Sequence, residues 1–184
     1  VFGKDPKPQK NTLSLDDIRN VILSLKLPPI MLDLFNETGI NERLKCLSGT
    51  RYQAPYPLLE MPLHQAVKQY KVDRYIPFLA VWQDIIFAYD SEKKGFVRYG
   101  IESFDADNLQ LLTWEDLLLE EVIAWWELEW QEEDIIYMSD LFCLKQIEEV
   151  LRELALCDEK GLSYGELKKK SSGQNCTEKS LIIC

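Results

Sequence analysis

The sequence holds one histidine, His64. A histidine base needs a nucleophile or a carboxylate partner, and the sequence identifies none. His64 lies in Pro62-Leu63-His64-Gln65-Ala66, at an expected helix start, where a surface or capping role suits it. The glycine-rich G-x-G-x-x-G, the phosphate loop G-x-x-x-x-G-K-[ST] and the zinc motif H-E-x-x-H are all missing. So is the calcium loop D-x-[DN]-x-[DN]-G. Five cysteines are present, and none stands at a C-x-x-C spacing. Cys143 and Cys157 fall in apolar helical patterns, where a free thiol behaves as a small hydrophobe. Reduced thiols of this kind fit a cytoplasmic protein. With imidazole and thiolate in such short supply, no metal and no cofactor is expected. Cys184 is the last residue, whereas a prenylated Cys stands fourth from the end.

Long apolar runs are missing too. The purely apolar stretches are only a few residues long, too short to cross a bilayer. Val1 to Pro8 contains no apolar run like that of a signal peptide, and without an initiator Met we read the start as trimmed. At 184 residues, 46% hydrophobic and 28% charged, the chain can bury a core without metal or disulfide staples.

The most local deficit is in bases. From Tyr99 to Leu144 there are thirteen acids and no Lys or Arg. The remainder has 18 acids against 21 bases, so this one segment supplies the whole net charge of −10. Such a field repels nucleic acid and attracts a basic surface. The plainer reading is a solvated helix face that keeps the protein in solution. Paired acids such as Glu115/Asp116, Glu120/Glu121 and Glu132/Glu133 are plentiful. Neighbours on a helix point to different faces, so adjacency is not the cleft geometry that a carboxylate hydrolase needs.

What is present is a sequence of readable elements. Residues 1–12 are polar and read as a loose tail. Ser14 caps a helix carrying Leu15, Ile18, Ile22 and Leu25, with Asp16 and Asp17 in its first turn. Pro28-Pro29 separates it from a second helix with Ile30, Leu34 and Phe35, which Gly39 stops. Residues 41–59 read as an irregular connection, and a short helix follows from Leu63 to Tyr70. Ile76–Val81, Asp84–Tyr89 and Gly95–Ile101 are β-rich, with Asp90–Gly95 as a hairpin loop. These predict a small antiparallel meander. Thr113-Trp114-Glu115-Asp116 predicts a capping box and a helix through about Gln131, with apolar residues on more than one side. Ser139-Asp140 opens a further helix over about 140–157, closed by Gly161. The expected organisation is one α+β domain over 13–160, then a short helix over 162–170 and a disordered end within 161–184.

Trp114, Trp125, Trp126 and Trp130 cluster in the acidic segment, and Trp126 and Trp130 share a helix face. They serve as core between helix and sheet, or Trp126 or Trp130 stands as an interface anchor among Glu127, Glu129 and Glu133. Stacking on nucleic-acid bases is disfavoured, because the surrounding acids repel phosphate.

The order of elements resembles the SUKH superfamily. Leu27-Pro28-Pro29-Ile30-Met31-Leu32-Asp33-Leu34-Phe35 looks like its LPP helix start. Tyr75-Ile76-Pro77-Phe78-Leu79-Ala80 looks like its PF strand, and Asp84–Tyr89 with Gly95-Phe96-Val97 like its paired strands. The similarity covers about residues 14–130. Asn36-Glu37-Thr38-Gly39 departs from the family's Asn-Gly-Gly, and Trp82-Gln83 stands where a Gly-rich turn is usual. The resemblance implies non-enzymatic work: an immunity protein that neutralises a secreted toxin, often a nuclease, or a signalling scaffold. It transfers no catalytic residues. On the first reading the acids Glu120, Glu121, Glu127, Glu129, Glu132, Glu133 and Asp134 meet a basic toxin domain, with Trp130 as anchor. On the second, a cellular protein binds in a groove between helix and sheet. A toxin gene immediately upstream would separate the two.

Overall fold

The computed structural model describes residues 12–36, 41–49 and 51–164. Residues 1–11 of the tail expected over 1–12, the stop at Gly39 and the residues from 165 onward lie outside the described residues, and so does most of the last short helix. Helices α1 (Leu15–Ser24), α2 (Ile30–Asn36), α3 (Glu42–Ser48), α4 (Tyr56–Leu59) and α5 (Leu63–Tyr70) come first, with the two-residue strand β1 (Tyr52–Gln53) between α3 and α4. The meander β2 (Tyr75–Val81), β3 (Ile85–Asp90) and β4 (Gly95–Gly100) follows. Helices α6 (Trp114–Glu127), α7 (Glu132–Leu141) and α8 (Ile147–Lys160) end the fold. The sheet has four antiparallel strands in the order β1-β2-β3-β4. The α+β class and single domain expected from the sequence are what the structure has.

Both faces of the sheet are covered, which explains why its strands read as nearly continuous apolar runs. Leu79, Val81, Phe87 and Phe96 face α1, α2 and the three C-terminal helices. Tyr75, Ala80, Ile86, Ala88, Val97 and Tyr99 face α4, α5 and the segment around Phe104. A bulge at Phe78 shifts the β2–β3 register between Pro77 and Leu79, so that Phe78 and Leu79 both enter the larger core. Pro77 lies where β1 does not reach, so its missing N–H forfeits no ladder bond on that side.

Residues 41–59 are not an irregular connection. Asn41 caps α3 by accepting the Leu44 N–H at 2.8 Å, and β1 pairs with the end of β2. The C-terminal helices also divide differently from the expectation. The helix from Trp114 ends at Glu127, not near Gln131, and Ser139-Asp140 sits inside α7 instead of opening a helix. The capping box that starts α6 is as expected: the Thr113 hydroxyl accepts the Asp116 N–H and the Asp116 carboxylate accepts the Thr113 N–H, both at 3.1 Å. Cys143 lies in the turn after α7, with φ +57, outside any helix.

Candidate functional site

The turn between α6 and α7 carries most of the acids singled out by sequence. It forms because α6 ends in a Schellman motif. The Trp130 N–H donates to the Trp125 carbonyl at 3.1 Å, the Glu129 N–H donates to the Trp126 carbonyl at 2.9 Å, and Glu129 is left-handed at φ +58. The apolar contact of the motif is made by the indoles. Trp130 stacks on buried Trp125, with centroids 5.6 Å apart and planes 10° apart. Trp130 is therefore half-buried and held by its neighbour. Trp126 donates its indole N–H to the Asp158 carboxylate at 2.8 Å, tying α6 to α8.

The seven acids expected at the interface separate into three groups. Glu127, Glu129, Glu132 and Glu133 are exposed at this turn, and among the described residues none of the four forms an ion pair. Glu120 and Asp134 are partly buried and engaged: Glu120 with Arg98 across α6 and β4, Asp134 with Arg43 of α3 at 2.6 Å. Glu121 is not on the surface at all. It is 1% exposed and faces β1, because α6 turns that side to the sheet.

Glu121 belongs to a buried polar network. One of its oxygens accepts from the Arg51 guanidinium at 2.8 Å and from the Tyr52 hydroxyl at 2.7 Å. The same hydroxyl accepts the Trp125 indole N–H at 2.7 Å. Burial opposes the charge on Arg51, but neighbouring Tyr52 and Glu121 outweigh it and keep the guanidinium protonated. Burial, reinforced by the Glu121 charge, pushes the Tyr52 hydroxyl far above its ordinary range. The network is a charged staple joining β1 to α6. Beside it, Leu117, Leu118 and Trp125 of α6 are buried in the larger core.

His64 is exposed on α5. Among the described residues, no three His, Cys, Asp or Glu side chains gather as metal ligands. Gly161-Leu162-Ser163-Tyr164-Gly165 spells G-x-S-x-G, so this nucleophile motif, expected to be absent, does occur in the sequence. A nucleophile elbow requires a strand running into a helix. This string instead follows α8, and Gly161 is its left-handed helix terminator at φ +61.

Sequence reasoning also gave no role to Trp82. This residue starts the three-residue loop between β2 and β3 and is 53% exposed. Its only sequence signal was the departure from a Gly-rich turn. Among the described residues, no helix is long and apolar enough to cross a membrane. Comparisons with protein-family models, curated proteins and solved structures return no match for this chain.

Proposed function

We propose that this chain is a non-enzymatic protein-binding domain that neutralises a secreted toxin, a nuclease in the first instance, through the acidic α6–α7 turn. The observation that carries the reading is the exposure of Glu127, Glu129, Glu132 and Glu133 on a turn fixed by stacked indoles. Nuclease clefts are basic because they hold phosphates. Acids on a rigid turn steer such a cleft into contact and raise the association rate. The same acids exclude nucleic acid itself as the direct ligand. The SUKH-like order of LPP helix, PF strand and paired strands supports a binding role over a catalytic one.

The test is co-purification of the full chain from its native source at low salt, followed by kinetics on the complex. One basic protein at equal stoichiometry is expected. Its association with the double variant Glu127→Lys/Glu129→Lys should be slower by about tenfold at low salt. An unchanged association rate removes the turn from the interface. Recovery of acidic or neutral regulators in place of a basic partner turns the assignment to a scaffold.

A further inference from the structure

We propose that Trp82 is a preformed anchor for a protein partner whose docking surface offers an apolar socket rimmed by lysine or arginine. The inference deepens the binding reading above and rests on it for the class of partner, but it places a contact at a different point of the molecule.

Trp82 and Gln83 are both left-handed, at φ +55 and +68. They are the one adjacent pair of left-handed non-glycine residues among those described. Asn and Gly suit such positions, and a bulky side chain there is sterically costly. At three other positions the cost has a visible compensation. Left-handed Lys26, Glu129 and Cys143 end helices, and each is followed by an apolar residue, Leu27, Trp130 or Leu144, packed in the core. At the hairpin tip the costly residue is itself the large apolar one, and its side chain remains 53% exposed. Strain retained under an exposed indole points to use of that indole.

The Trp82 N–H donates to the Arg51 carbonyl at 2.8 Å, and its ring lies 5.5 Å from the Arg51 guanidinium. Arg51 is itself fixed from inside by Glu121 and Tyr52. A tryptophan already held in place loses little freedom on binding, and tryptophan is enriched among residues that dominate interface energies. Arg51 is buried and neutralised by Glu121. The exposed neighbours in the loop are Gln83 and Asp84. The Ile101 N–H donates to the Asp84 carbonyl at 2.7 Å, which brings the exposed Glu102 to the same end of the sheet. An indole with acids beside it fits an apolar socket with a basic rim.

The experiment selects a random-peptide display library on the immobilised full chain. Enriched peptides are then titrated against the parent, Trp82→Ala, the hairpin variant Trp82→Asn/Gln83→Gly, and Glu127→Lys/Glu129→Lys. The expected peptides combine aromatic or aliphatic residues with Lys or Arg. They should lose at least about tenfold in affinity with both Trp82 variants. The hairpin variant should also unfold at a higher urea concentration than the parent, because it relieves the left-handed strain. No enriched peptide, or binding to Trp82→Ala within about twofold of the parent, overturns the proposal. So does a lower urea midpoint for the hairpin variant, which would make Trp82 a packing residue. Peptides lost only with Glu127→Lys/Glu129→Lys overturn it while leaving the α6–α7 reading intact. Peptides lost only with the Trp82 variants uphold it and count against that turn.

Discussion

At the scale of single residues, burial without a partner and burial with partners give opposite expectations. The Tyr99 hydroxyl is buried and has no hydrogen-bond partner, while its ring packs edge-on against Phe104 at 4.8 Å. Burial raises its pKa, so the hydroxyl stays neutral and carries the desolvation cost alone. Tyr99→Phe keeps the ring contacts and should gain about 1 kcal/mol of stability, read as a higher urea midpoint. Arg51 and Glu121 are the contrary case. They are 4% and 1% exposed and pair through one Glu121 oxygen, Oε2, while Oε1 is buried without a hydrogen-bond partner. Glu121→Gln leaves the guanidinium buried without its counter-charge and should cost about 3–5 kcal/mol. Arg51→Met with Glu121→Leu removes both charges and should cost clearly less than the single change. Equal losses for the single and double variants would show that side-chain shape, not charge pairing, holds β1 to α6. None of this pairing was legible in sequence. Arg51 and Glu121 are 70 positions apart, and the acid run around Glu121 suggested a solvated face.

At the scale of elements, what the sequence announced was what side-chain chemistry marks directly. The Ser14 and Thr113 caps, the Pro28-Pro29 break, the three long strands and the Gly161 stop all carry a residue type suited to their geometry. The missed boundaries share a different feature. Helices α1, α6 and α7 end in Schellman turns whose left-handed residues are Lys26, Glu129 and Cys143, where glycine is usual. A helix stop written in Lys, Glu or Cys has no sequence signal, so α6 was extended to about Gln131, α7 was missed, and the helix expected from about 140 is α8, which starts at Ile147. The same fact yields a prediction. Lys26→Gly and Cys143→Gly should each stabilise the fold by about 0.5–1 kcal/mol, since glycine adopts this conformation without a Cβ clash. A loss of stability on either change would mean that the side chain contributes more than the strain removes.

The β3–β4 hairpin gives the pH dependence at this scale. Buried Asp90 accepts from Arg74 at 3.0 and 3.2 Å and from the Glu92 and Lys93 N–H groups at 3.0 and 3.1 Å. Burial works against its charge, but the bonds from Arg74 and from the two N–H groups outweigh it and lower its pKa. A carboxylate with a depressed folded pKa stabilises the fold above its unfolded value, near about 4, and that contribution is lost as pH falls through the folded pKa. Asp90→Asn should therefore cost about 2 kcal/mol at neutral pH. It should also flatten the acid limb of the stability curve. An unchanged acid limb would assign acid sensitivity to other carboxylates.

At the scale of the whole molecule, the negative charge gathers on one turn, where two helix ends meet with opposite dipoles. Glu127 and Glu129 stand at the C-terminal end of α6, which disfavours acids. Glu132 and Glu133 stand in the first turn of α7, which favours them. A purely structural account therefore explains the second pair and leaves the first as a cost. This asymmetry separates stability from recognition. Glu127→Lys/Glu129→Lys should stabilise the free protein by about 0.3–1 kcal/mol per residue, and Glu132→Lys/Glu133→Lys should destabilise it by a similar amount. Each double variant changes the net charge equally, so a basic partner should associate more slowly with both. Urea unfolding and stopped-flow association at low salt read the two effects on the same samples. Opposite signs in stability with a common slowing would mark the turn as a recognition surface. Association rates that merely follow stability would reduce its acids to helix-end electrostatics.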